Sequence, residues 1–170
     1  MIKAIETLRA MPDHYMSVDS LPVDVVAETM TTLLTSAPLP GETEAERENT
    51  RVAHLVNPVE LPWLDFLKIL QSPDLGLPKF RVIKAREWLR LLEESSPDPV
   101  ANPIKKLQGY FTDMYTTKEV PTTKVEPQAL EAKFETAHTT QLVPSMHYNL
   151  NHDFWCKVIG HWRDIGFLQN

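Results

Sequence analysis

Glycine is scarce in this chain. Five occur in 170 residues, each isolated, at Gly41, Gly76, Gly109, Gly160 and Gly166. Nucleotide and dinucleotide phosphates are cradled by closely spaced glycines ahead of a helix, so the sequence offers no such cradle. Cysteine occurs once, as Cys156, which excludes an internal disulfide framework and suits a reducing compartment. No apolar run is long enough to span a bilayer. The opening MIKAIETLRAMPD lacks the apolar core and small-residue cleavage site of a secretory signal. A cytoplasmic location is therefore expected. Positive charge is not in surplus either: the net charge is −6, which argues against a general nucleic-acid binder. None of the four tyrosines has a lysine four positions on. The Tyr-x-x-x-Lys pair, in which an ammonium lowers the phenol pKa for proton transfer, is thus missing.

What is present is an ordinary globular composition, 42% apolar and 24% charged. Fourteen prolines cut it into short helical pieces. The spacing of Met1, Ile5 and Leu8 predicts a helix over residues 1–11, stopped by Pro12-Asp13. YMSVDSL alternates weakly, as a short strand would. Pro22 and Asp24 open a helix to about Leu34, with Val25, Val26, Met30, Leu33 and Leu34 as its buried stripe. Residues 35–50 carry four glutamates and read as a mobile loop. RVAHLVN (51–57) reads as a strand covered on both faces, ended by Pro58. A helix over 60–71 carries Trp63, Phe66, Leu67 and Leu70; a strand at 80–84 and a helix at 85–95 with Trp88, Leu91 and Leu92 follow.

Asn102 is placed to cap a helix that starts at Pro103 and carries Ile104, Leu107, Phe111 and Met114. Residues 116–127 read as an extended linker, and Pro127 starts a short helix. The last helix begins near Asn149 or Asn151 and carries Phe154, Trp155, Val158, Ile159 and Trp162. The expected fold is a single domain, mainly α with a few short strands, too few and too far apart for a sheet of normal width. An unpaired apolar strand edge tends to find another chain. A homodimer or swapped assembly through VAHLV or the first helix is therefore expected.

Few groups suggest chemistry. Tyr115 and Lys118 lie three apart near a helix end and read as solvent-facing. His147, His152, Cys156 and His161 cluster near the C-terminus, and His152 and Cys156, four apart, share a helix face as zinc ligands do. The competing reading is polar residues flanking a tryptophan-rich buried face. With no second cysteine and no Cys-x-x-Cys, no metal is expected. Cys156, His152 and Asp153 cannot form a relay by themselves, because adjacent helix positions point apart. From 79 to 106 the chain holds seven basic residues, Lys79, Arg81, Lys84, Arg86, Arg90, Lys105 and Lys106, against the acids Glu87, Glu93, Glu94 and Asp98, a local net of +3. This is either a docking face for an acidic partner or a mixed, solvated face paired with Glu93 and Glu94. Met1, Met11 and Met16, near Ile5 and Tyr15, offer an adaptable apolar surface that suits an acyl chain, or are simply core.

Several stretches taken in order resemble a known family. They are Pro22, Val23, Asp24 and Ala27 at a helix start; His54, Leu55, Asn57 and Pro58; Trp63 a few residues on; Trp88-Leu89; Asn102-Pro103 before a helix; and the closing Gly166-Phe167-Leu168. Together they resemble the C-terminal half of the thioester reductase domains that end fungal polyketide synthases and nonribosomal peptide synthetases, in the extended short-chain dehydrogenase/reductase group. The resemblance covers essentially the whole chain.

It implies the helical substrate-binding subdomain of that fold, residues 1–170, truncated from the Rossmann half that supplies the NADPH loop, the catalytic Ser or Thr and the Tyr-x-x-x-Lys. No catalytic, cofactor or metal residue carries over. The complete domain of such a family reduces a thioester on the phosphopantetheine arm of an acyl or peptidyl carrier protein with NADPH, releasing an aldehyde or alcohol. The half seen here would shape the acyl pocket, with Met1, Ile5, Met11, Tyr15 and Met16 as candidates. It would dock the acidic carrier on the 79–106 segment, and VAHLV would complete the missing sheet. The part alone would be inactive. The alternatives are a free-standing helical interaction module and, further off, a small enzyme built on the His/Cys cluster.

Overall fold

The computed structural model describes residues 1–13, 17–35, 52–100, 102–116 and 134–169. The architecture is mainly helical with a few short strands. The chain divides into two compact units interleaved in sequence, 1–16 with 62–129 and 151–170, and 17–61 with 130–150.

The first unit contains α1 (Lys3–Leu8) and β1 (Ala10–Pro12), then α3 (Trp63–Leu70), a 3₁₀ turn (Pro73–Leu75), β4 (Arg81–Ile83) and α4 (Ala85–Glu94). A second 3₁₀ turn (Pro103–Leu107) leads into α5 (Gln108–Thr116), and α7 (His152–Asp164) closes it. The expected helix over 1–11 stops at Leu8. Arg9 turns left-handed at φ 50°, and Ala10–Pro12 becomes a strand parallel to β4, with Ala10 opposite Arg81 and Pro12 opposite Ile83. The ladder continues past its ends through Arg81 N–H to the Arg9 carbonyl (3.0 Å) and Asp13 N–H to the Ile83 carbonyl (2.6 Å). Period alone could not reveal this, because a parallel partner some seventy residues on decides it.

The far edge of β1 is closed by side chains. The indole N–H of Trp88 donates to the Ala10 carbonyl at 3.1 Å and that of Trp63 to the Pro12 carbonyl at 2.9 Å. Pro12 has no N–H to offer, so this edge is blunted against strand addition. Around it lies a core of Ala4, Ala10, Trp88, Leu92, Ile104 and Phe111. Trp88 is fully buried, and its ring meets Phe111 edge-on at 5.2 Å. A second apolar layer sets Trp63, Phe66, Leu67 and Leu70 of α3 with Leu75, Trp155 and Ile159. Phe66 packs on Trp155 with ring centroids 4.7 Å apart. The sequence periodicity named all four α3 residues because they recur on one face of a single helix. Leu107, also expected inside, is 51% exposed, since the 3₁₀ winding of 103–107 shifts the phase between Ile104 and Phe111.

The second unit holds β2 (Ser17–Val18), α2 (Val23–Thr35), the irregular segment 52–60, Leu61 of the short strand β3 (Leu61–Pro62), and α6 (Ala137–Leu142). The stripe expected on α2 is rotated. Val25, Val26 and Leu33 are half-buried and Thr29 is buried, while Met30 and Leu34 are exposed. Thr29 takes the inward position because Val25, Thr29 and Leu33 fall one turn apart. Residues 52–57 form no strand. The edge on which the dimer expectation rested is therefore absent at VAHLV, and α1, the other proposed contact, turns Ala4 and Ile5 fully inside. Thr35, the first residue of the loop expected over 35–50, closes α2 instead. Residues 36–50, the linker beyond Thr116 and the helix start at Pro127 lie outside the described residues.

Candidate functional site

The basic stretch from 79 to 106 is built on β4, α4 and the 3₁₀ turn at 103–107. Lys84 and Lys105 have internal tasks. Lys84 pairs with Asp13 at 2.6 Å, and the other oxygen of Asp13 accepts from the Ala85 N–H at 3.0 Å. One carboxylate thus ties the end of β1 to the start of α4, where the helix dipole favours an anion. The sequence showed Pro12-Asp13 only as a helix stop; nothing in it indicated the Lys84 partnership. Lys105 donates to the carbonyls of Leu92 and Glu93 at 2.8 and 2.5 Å, closing the C-terminal end of α4.

Arg90 lies 3.9 Å from Glu94 on the surface, a weakly coupled pair. Lys79, Arg81, Arg86 and Lys106 are exposed. One of the two readings of this segment pairs its ends with Glu93 and Glu94. Glu94 does so toward Arg90, whereas Lys105 meets the backbone of Glu93 rather than its carboxylate.

Of the residues proposed for an acyl surface, Ile5 and Met11 are fully buried and Met1 packs against the core. Tyr15 and Met16 lie outside the described residues. Tyr115 is not solvent-facing: it packs on Trp88 and Phe111 with ring centroids 6.3 and 6.2 Å away. Burial pushes its phenol pKa up, with Tyr110 and Asp13 adding to the shift. Lys118 is outside the described residues.

The residues that carried the family resemblance do structural work. Asn57 is 1% exposed and uses its full side-chain capacity. Its amide donates to the carbonyls of Ser20 (3.2 Å) and Tyr148 (2.8 Å), and its oxygen accepts from the N–H groups of Val59 and Tyr148, both at 3.1 Å. Its own N–H reaches the Asp19 carbonyl at 3.0 Å. One side chain therefore fastens three segments of the second unit. In the same unit His54 Nδ1 donates to the Glu135 carbonyl (3.1 Å) and the imidazole meets the ring of Phe134 at 5.0 Å. Trp63 and Trp88 hold β1 as described. Asn102 stands at the helix start, but its amide turns away from the helix, to Ser95 Oγ (2.7 Å) and the Ser96 carbonyl (3.3 Å). The expected side-chain cap is not made. Leu168 is buried, and the Phe167 carbonyl accepts from Lys3 at 2.8 Å, so the chain end folds back on α1.

Among the described residues the glycines build no phosphate cradle. Gly76 adopts φ 58° in a turn filled by the Arg163 guanidinium, Gly109 and Gly160 lie inside α5 and α7, and Gly166 ends α7 at φ 72°. Gly41 is outside the described residues. Among the described residues no group of three metal-ligating side chains converges. His147 lies in the second unit with its Nδ1 at the Pro144 carbonyl, and His161 is exposed on α7. Only His152 and Cys156 of that cluster meet, at 3.6 Å. No described helix is long and apolar enough to cross a membrane.

The chain is similar along its whole length to one stretch of fungal non-reducing polyketide synthases. It is 27% identical over 171 residues to the non-reducing polyketide synthase tazA of Aspergillus terreus, and 25% identical over 174 residues to the 3-methylorcinaldehyde synthase tropA of Talaromyces stipitatus. It is 30% identical over 174 residues to the citrinin polyketide synthase of Monascus ruber. Each match covers 99% of this chain and 6% of the relative, so the chain spans a small part of the proteins it matches. No family model matches it, and no solved structure matches it significantly.

Proposed function

We propose that the chain is the acyl-substrate and carrier-protein binding portion of a thioester reductase that releases a carrier-bound polyketide. The observation that carries this reading is the whole-length match to polyketide synthases, one of which is named for an aldehyde product. A thioester becomes an aldehyde by gaining a hydride and losing its thiol, which is what reductive release from a phosphopantetheine arm requires. The motif residues support the assignment from the other side: Asn57, Trp63, Trp88 and Leu168 are all buried and hold the framework. Cofactor binding and proton donation are assigned to a Rossmann half beyond these residues, and this part is inactive alone.

The carrier-docking share falls to the exposed cations. Carrier proteins are acidic, and Lys79, Arg81 and Lys106 stand exposed on the same stretch as Arg86 and Arg90. Lys84 and Lys105 belong to the fold instead.

A segment exchange tests the reading. This chain replaces the matching stretch of the tropA synthase, and released aldehyde is measured by chromatography. Retained release supports the reading; release that also survives deletion of the stretch refutes it. In the same chimera, charge reversal at Lys79, Arg81 and Lys106 together should raise KM for the carrier-bound substrate with little change in kcat. An unchanged KM would remove the docking face.

A further inference from the structure

We propose that the outer face of α2 is a docking surface for the neighbouring polypeptide of the complete synthase, the Rossmann half of the reductase, which covers it with an apolar face edged by basic side chains. The proposal rests on the reading of this chain as one part of a longer reductase. A surface helix ordinarily turns one apolar stripe inward and leaves its other side polar. α2 is apolar on both sides. Its inner side carries buried Thr29 between the half-buried Val25 and Leu33. Its outer side carries Val23, Ala27, Met30 and Leu34, all exposed. Val23 is 83% exposed, Met30 50% and Leu34 85%. At 3.6 residues per turn the outer four fall within an arc of about 60° and run about 16 Å along the axis. Half-buried Val26 joins them to the inner side. A helix of this pattern is built to be covered on both sides.

The polar groups beside the outer stripe are prepared for the loss of water. The hydroxyls of Thr31, Thr32 and Thr35 donate to the carbonyls of Ala27, Glu28 and Thr31, each at 2.9 Å. These hydroxyls take their partners from the backbone of their own helix, so covering them strands none of them. Asp24 and Glu28, exposed one turn apart along the same edge, are the groups a cover must meet with charge. A partner that brings Lys or Arg to that edge matches them and sets the direction in which it lies on the helix.

A second copy of this chain is the poorer occupant. A stable association of free proteins buries about 800 Å² on each partner, and four side chains along three turns present a fraction of that. A neighbour in the same polypeptide needs far less area, because the tether holds it at a millimolar effective concentration. The relatives have such a neighbour: each match takes in 99% of this chain and only 6% of the synthase, so most of the synthase polypeptide lies beyond the matched stretch.

The test compares methionine oxidation by dilute hydrogen peroxide in the folded chain alone and in the synthase in which this chain replaces the tropA stretch, read at each methionine by peptide mass spectrometry. Met30 should oxidise readily in the chain alone and about tenfold more slowly in the chimera. Met11 and Met146, fully buried, should stay slow in both and report an intact fold. Val23→Gln combined with Leu34→Gln, at positions facing solvent in the chain alone, should leave its urea midpoint unchanged and return Met30 of the chimera to the faster rate. An equal Met30 rate in chain and chimera overturns the proposal. Protection in the chain alone that grows with concentration, together with a dimer in light scattering, also overturns it by making a second copy the occupant. Aldehyde release separates this proposal from the reductase reading. Release with Met30 still fast overturns the docking and leaves that reading standing. Protected Met30 without release supports the docking and counts against that reading.

Discussion

Replacing Asn57 with alanine removes four hydrogen bonds at once from a position 1% exposed. The carbonyls of Ser20 and Tyr148 and the N–H groups of Val59 and Tyr148 all lose their partner. At about 1 kcal/mol per bond, and more where water cannot enter, the loss is about 4 kcal/mol. That is a large share of the roughly 5–15 kcal/mol that holds a typical domain folded. The cost should be local. Tyr148 N–H and C=O are both released, so hydrogen exchange should accelerate first in peptides covering 17–20, 57–61 and 146–150. Peptides over 85–94, in the other unit, should change least. All four tryptophans lie in the first unit, so intrinsic fluorescence reports that unit and exchange mass spectrometry the second. Asn57→Asp tests the mechanism more sharply: it keeps the acceptor to Val59 and Tyr148 but replaces the NH₂, with both its donors, by one oxygen that faces two carbonyls. It should cost at least as much as alanine at neutral pH and recover in acid, once one oxygen is protonated and can donate again. A urea midpoint for Asn57→Ala equivalent to a loss under about 1 kcal/mol would refute this account of the residue.

Trp88→Phe keeps most of the buried ring but orphans the Ala10 carbonyl on β1, and should lower stability by about 1–3 kcal/mol in a thermal or urea melt. Gly76→Ala forces a side chain into a left-handed turn with its Cβ 2.9 Å from Arg163 Nη2. A loss of about 1–2 kcal/mol is expected, and the extra Arg163→Ala change should relieve the steric part in a double-mutant cycle. Tyr115 gives a pH signature. Its phenol holds its proton more tightly folded than unfolded, so above the ordinary tyrosine value of about 10 the unfolded state binds fewer protons and stability falls with rising pH. Tyr115→Phe should flatten that alkaline decline in urea midpoints taken between pH 8 and 11, and an unchanged slope would show that other groups cause it.

What the sequence determined by itself is whatever a single element repeats. The α3 face of Trp63, Phe66, Leu67 and Leu70, the α4 pair Trp88 and Leu92, and the start of α7 at Asn151, whose side chain accepts from the Phe154 N–H at 3.0 Å, are set by period and capping chemistry within one turn or two. The tertiary structure decided the pairings between distant segments. It turned Ala10–Pro12 from helix end to parallel strand, gave Lys84 to Asp13 and Lys105 to the end of α4, packed Tyr115 on Trp88, and brought Ser72 and Asp74 to His152. These contacts join residues separated by up to some eighty positions and depend on the direction of a single side chain. Local periodicity fixes which face of an element is apolar, but carries no record of what that face, or the polar groups along its edge, will meet.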